Sequence, residues 1–140
     1  MDVIDRFERF YQHLGRGSVD ELDDVYDEQI VFIDPVADHT GLTSLKVYFQ
    51  NLMQNCRSCS FDMTIHRLSP SVAFVTWTMS FEHAHLRSGK PILVDGVSQL
   101  SIADDKIVMQ RDYYDMGAMI YENVPLLGIV VAGLRRRMVP

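Results

Sequence analysis

Apolar residues recur at three- and four-residue steps through the N-terminal segment, at Ile4, Phe7, Phe10 or Tyr11, and Leu14. That stripe predicts an amphipathic helix, stopped by Gly15 and Gly17. Ser18-Val19-Asp20-Glu21 has capping-box spacing, and Leu22, Val25 and Tyr26 give the short helix it opens a buried side. Ile30 to Ile33 reads as a short strand, followed by a polar loop from Asp34 to Gly41. Helical spacing returns from about Leu42 to Gln54, where Leu45, Phe49, Leu52 and Met53 share one face.

From Ser60 the period falls to two. Phe61, Met63 and Ile65 alternate with polar residues, as in a half-buried strand. Val75, Trp77, Met79, Phe81 and His83 line one face of the next strand, and Ile92, Val94, Gly96, Ser98, Leu100 and Ile102 one face of another. Ser69-Pro70-Ser71, Arg87-Ser88-Gly89-Lys90 and Asp104-Asp105 supply the turns. A last strand runs from Lys106 to about Asp115, and two short helical pieces, about 117–123 and 126–137, end the chain. The 140 residues read as a single domain, with 117–140 as a C-terminal helical tail. Helices with one early strand, then an antiparallel meander, make an α+β layout. A curved sheet wrapped around the long helix, with other helices closing its open end, forms a cone with a cavity, where a small-molecule site is expected.

Composition narrows the partners. The hydrophobic fraction of 47% and charged fraction of 23% are those of a soluble globular protein. A net charge of -6 argues against a general nucleic-acid binder. No apolar run reaches membrane-spanning length, and the acidic N-terminus lacks a secretion signal, so a cytoplasmic protein is expected. Residues 18–28 are acidic, whereas Arg135-Arg136-Arg137 closes an apolar tail that begins at Pro125. The tail suits a lid over the cavity or a subunit contact better than a membrane-surface helix. Cys56 and Cys59 form a C-x-x-C without a second pair, and read as ordinary reduced thiols, with a redox pair as the alternative. His83 and His85 lie two apart on one strand and, with His39, suggest a metal site. No acidic or cysteine ligand joins them, and neither a metal nor another cofactor is expected.

Phe32-Ile33-Asp34-Pro35 places a carboxylate at the end of an apolar strand. It reads as the wall of a pocket, the alternative being an Asx-type turn beside Pro35. A carboxylate in an apolar pocket has its charged form disfavoured, which suits proton transfer near neutral pH. If Asp112 faces inward, alternation brings Gln110 and Tyr114 with it. The other face then shows Ile107, Met109, Arg111 and Tyr113, apolar enough for a dimer surface. A surface Arg111/Asp112 pair is the alternative. Trp77, at the parity of Val75 and Met79, needs a partner for its indole N–H, and a pocket acid would serve.

With Gly41, Tyr48-Phe49, Gly96-Val97-Ser98, Lys106-Ile107 and Arg111-Asp112-Tyr113-Tyr114-Asp115, the Phe32-Ile33-Asp34-Pro35 motif resembles the nuclear transport factor 2-like superfamily, in its SnoaL-like branch. The resemblance covers about residues 3 to 117 and implies a cone-shaped α+β barrel. Comparison with ketosteroid isomerases places Asp34 at their general base, their oxyanion tyrosine at Phe10 (Tyr11 is one step away), and their protonated aspartate at Ser98. Comparison with limonene epoxide hydrolases gives Asp112 a catalytic position, without their Arg-x-Asp partner near Trp77 and Met79. SnoaL-like polyketide cyclases use one acid–base aspartate and no cofactor. The resemblance thus implies Asp34 and Asp112 as catalytic residues, with Phe32, Trp77, Met79, Ser98 and Tyr114 around a small hydrophobic ligand, and a homodimer through the sheet face. Both binding domains and enzymes occur on this fold. The expected function is a small-molecule-binding domain, with a cofactor-independent isomerase, cyclase or hydrolase using Asp34 as general acid/base as the alternative.

Overall fold

The computed structural model describes residues 1–14, 17–83 and 86–140, with the side chains of Asn55 and Arg57 excepted. Gly15 and His85, a predicted helix stop and a candidate metal ligand, lie outside the described residues. The chain runs α1 (Val3–Gln12), a 3-10 turn (Val19–Asp24), β1 (Tyr26–Ile33), β2 (Asp38–Thr40), α2 (Leu42–Asn55), β3 (Cys56–Ser69), β4 (Val72–His83), β5 (Ile92–Ala103), β6 (Lys106–Tyr114), α3 (Met116–Met119) and α4 (Leu127–Arg137).

One six-stranded sheet is ordered β2-β1-β6-β5-β4-β3. The β1–β6 pair is parallel and every other pair antiparallel. Six strands spaced about 4.8 Å apart would span some 24 Å if flat, roughly twice the width of a helix. Yet α2 packs against β1 and β2 at one edge and β3 at the other. The sheet must therefore curl around α2, which turns the α+β reading into a cone. Leu45 and Phe49 of α2 are buried inside it with Phe7 of α1 and Val75, Val94 and Leu100 of the sheet.

Local chemistry explains most element ends. Asp2 caps α1 in a reciprocal box with Asp5. The Ser18 hydroxyl accepts from the Asp20 amide, and the short helix it opens is of the 3-10 type. Gly41 enters α2 at φ 93°, a left-handed backbone that glycine adopts without a Cβ clash.

Four expectations are corrected. Tyr26 belongs to β1, four residues before the expected start, because parallel pairing with β6 extends the strand. The loop after Asp34 contains β2, whose His39 stands opposite Phe32. β3 begins at Cys56 instead of Ser60, and a bulge between Cys56 and Ser58 turns both cysteines toward the interior. A second bulge, near Val108, puts Ile107 in the core at 0% exposure with Gln110, not on the outer face with Met109 and Arg111.

Candidate functional site

The curl leaves a cavity of about 320 Å³ between α1, α2, α3 and the concave face of the sheet. Its lining is aromatic and sulfur-rich, with Tyr11, Phe49 and Phe61 joined by Met53, Met63 and Cys59. Two carboxylates interrupt this apolar wall, those of Asp34 and Asp112. Phe32, Trp77, Met79, Ser98 and Tyr114 line the same space, so the structure brings every residue of the expected site together. The outward alternative for Asp112 fails: Arg111 points away, its guanidinium 5.0 Å from the centre of the Tyr113 ring.

Asp34 satisfies both of its readings. Its Oδ1 accepts from the Val36 and Ala37 amides at 2.8 and 2.9 Å, which is an Asx turn around Pro35. Its Oδ2 accepts from the Tyr48 hydroxyl at 2.5 Å. Burial and this neighbouring carboxylate raise the Tyr48 pKa, so Tyr48 stays a donor. The other face of Tyr48 is covered by the His39 ring, 4.2 Å away between centroids. The His39 Nδ1 meets Ser44 Oγ at 3.1 Å. Among the described residues, no group of three His, Cys, Asp or Glu side chains is arranged to hold a metal.

Asp112 ends a buried hydrogen-bond chain whose direction follows from its members. The Tyr26 hydroxyl donates to Gln110 Oε1 at 2.6 Å. Having spent its one proton there, it must accept from the Tyr11 hydroxyl, 2.8 Å away. Gln110 Nε2 then donates to Asp112 Oδ1 at 2.9 Å. From the other side, Trp77 Nε1 donates to Ser98 Oγ at 3.0 Å, and Ser98 donates to the same Oδ1 at 2.6 Å. All donors converge on Oδ1. Asp112 Oδ2 makes no hydrogen bond with the described residues, so a proton on this carboxyl resides on Oδ2, at the cavity. Desolvation by the surrounding protein raises the Asp112 pKa to about 6, opposed by the Ser98 and Gln110 hydrogen bonds and assisted by the charge of Asp34.

Sequence reasoning missed part of this chain. Tyr11, not Phe10, lines the cavity; Phe10 packs edge-on against Tyr11 and Phe49. The indole partner is Ser98, with Asp112 one bond further on. Tyr26 and Gln110 were readable only as buried residues, because their meeting depends on the β1–β6 pairing. Tyr26→Phe leaves the buried Tyr11 hydroxyl and Gln110 Oε1 without their present partner, and should cost about 2 kcal/mol of stability. Urea unfolding measures this, and a loss below about 0.5 kcal/mol would mean that the chain is not structurally coupled.

The cysteines are placed as unreactive thiols. Both are unpaired, and burial raises Cys56 and pushes Cys59 up to about 12, which leaves little thiolate at neutral pH.

A family model for the SnoaL-like domain matches residues 7–110. The chain belongs to the SnoaL-like family. Solved structures agree on the fold. A candidate SnoaL-like polyketide cyclase from Jannaschia sp. CCS1 is 11% identical, with a TM-score of 0.75 over 88% of this chain and 92% of that one. A hypothetical protein with a ketosteroid isomerase-like fold from Catenulispora acidiphila DSM 44928, in complex with trimethylamine, is 11% identical, with a TM-score of 0.74 over 86% and 93%. A candidate isomerase from Bacillus subtilis is 18% identical, with a TM-score of 0.69 over 84% and 92%. A search of curated proteins returns no match. This SnoaL-like domain therefore has the cone fold with an internal, largely apolar cavity. Of the tail, α3 supplies Met119 to the lining next to Ile120, whereas α4 supplies no residue to it.

Proposed function

We propose that this SnoaL-like domain binds a small hydrophobic molecule carrying one polar group, with the polar group between Asp34 and Asp112. The observation that carries this reading is the pairing of two carboxylates with a largely apolar cavity of about 320 Å³, a volume within the range of small-molecule sites. The aromatic rings supply apolar area, and the methionines adapt to irregular ligand shapes.

N-phenyl-1-naphthylamine, a neutral fluorescent probe, tests the cavity. It should bind saturably, with about one molecule per chain, and Met63→Trp, which fills the space, should weaken binding at least about tenfold. Asp34→Asn should retain this neutral probe. Binding that ignores Met63→Trp would place the probe elsewhere and remove the support for a cavity ligand.

One observation favours a second, catalytic reading. The Asp112 oxygen without a hydrogen bond to the described residues is the one free to carry a proton, and the pKa of about 6 is suited to giving and taking it near neutral pH. Asp34 accepts three hydrogen bonds and donates none. In an isomerase, cyclase or hydrolase without a cofactor, Asp112 would move the proton and Asp34 would hold the substrate's donor group. That exchanges the emphasis of the sequence reading, in which Asp34 was the acid/base.

The homodimer is also a proposal. Leu93 and Tyr113 on the outer sheet face are 65% and 46% exposed, which supports pairing of two copies there. Two unpaired thiols fit a reducing cytoplasm.

A further inference from the structure

The last helix leaves its apolar side open. α4 is fastened to the rest of the chain at the turn 121–123. Gly128 lies so close to it that a Cβ would stand 2.4 Å from the Glu122 carbonyl oxygen, and Arg135 pairs with the Glu122 carboxylate. On the other side Leu126, Ile129, Val130 and Leu134 are 77%, 70%, 57% and 56% exposed. Leu126, Val130 and Leu134 follow at four-residue steps, with Ile129 beside them, so they form one continuous stripe. Met138, 84% exposed, extends it. A helix of 11 residues is marginal alone, and covering such a stripe would stabilise it by removing apolar surface from water.

We propose that a second copy of this chain covers it, with Arg136 and Arg137 seated on the acidic ledge of residues 20–28. Charge selects this occupant. The whole chain carries -6, so the portion before α4 carries -9 and the tail +3. The ledge holds Asp20, Glu21, Asp23, Asp24, Asp27 and Glu28 and no lysine or arginine of its own. Among the described residues the side-chain cation reaching its carboxylates is Lys46, at 3.5 Å from Asp20 and 2.9 Å from Asp23. Glu21, Asp24 and Glu28 are exposed. Beside the ledge, α2 presents Val47, 53% exposed, as apolar surface. An anionic bilayer would attract the tail but repel a body of -9 at close range, where salt screens little. A second copy instead offers the tail a ledge of opposite charge, so that unlike charges meet where the two chains touch. This inference does not depend on what the cavity binds.

The test exchanges the charges in the full chain. One variant carries Arg136→Glu and Arg137→Glu. The other carries Glu21→Lys, Asp24→Lys and Glu28→Lys. Every chain, including the reference, also carries Leu93→Asp, which removes association through the outer sheet face and keeps the two interfaces distinguishable. By sedimentation velocity at low salt the reference chain should self-associate, and each variant alone should lose this at least about tenfold, a change of about 1.4 kcal/mol. An equimolar mixture of the two variants should recover it, since each tail then meets a ledge of opposite sign. The proposal is overturned if either variant associates as the reference does, if the mixture stays unassociated, or if the reference is monomeric and sediments with phosphatidylserine vesicles.

Discussion

Asp112→Asn should make the protein more stable at pH 8 and no more stable near pH 4. Burial raises the folded-state pKa of Asp112 to about 6, above the ordinary carboxylate value of 3.8. The folded chain therefore holds this proton more tightly than the unfolded chain, and the resulting stability is fully present only below about 3.8. It is lost as pH rises to about 6 and stays lost above. The wild type thus carries a desolvated charge at pH 8 that costs about 3 kcal/mol at most. Asparagine removes the charge but keeps Oδ1 to accept from Ser98 and Gln110, the two bonds that hold the side chain. The expected gain in melting temperature at pH 8 is roughly 5–10 °C for a domain of this size. Differential scanning calorimetry across pH 4 to 8 measures it. A variant equally stable relative to wild type at both ends would show that Asp112 is well solvated. The same substitution separates the two functional readings, since it should leave a neutral cavity ligand bound while reducing any proton-transfer rate by roughly 10²–10⁴.

Gly96→Ala should have a comparable effect of opposite sign. Trp77 and Gly96 face each other across β4 and β5, and the indole lies directly over the glycine. A Cβ at Gly96 would stand 2.3 Å from Trp77 Cη2 and 2.4 Å from Cζ2. Trp77 is 8% exposed, with Phe61 and Tyr114 rings 5.5 and 5.9 Å away, so it cannot swing aside freely. Overpacking of this kind costs about 1–3 kcal/mol, and loss of the Trp77–Ser98 hydrogen bond adds about 1 kcal/mol. Trp77 is the only tryptophan, so its emission reports the displacement while urea unfolding reports the cost. An unchanged spectrum with a loss under about 0.5 kcal/mol would mean that β5 yields instead. Because Ser98 joins Trp77 to Asp112, the same change should also alter the Asp112 titration.

The sequence by itself determined the α+β order of elements, the inward faces of β4 and β5, and the position of Asp34 at the end of β1. These are local consequences of side-chain period and turn chemistry, and they hold wherever register is unbroken. Tertiary structure decided the remainder. Alternation left the face of Asp112 open, and the bulge near Val108 reversed the assignment of Ile107. The helical stripe admitted Phe10 or Tyr11, and packing under the sheet turned Tyr11 to the cavity. Parallel pairing of β1 with β6 carried Tyr26 to Gln110 across 84 residues. No local pattern encodes that contact, because it depends on which distant strands become neighbours. The polarity of the chain, and with it the oxygen of Asp112 that faces the cavity, exists only once those strands have met.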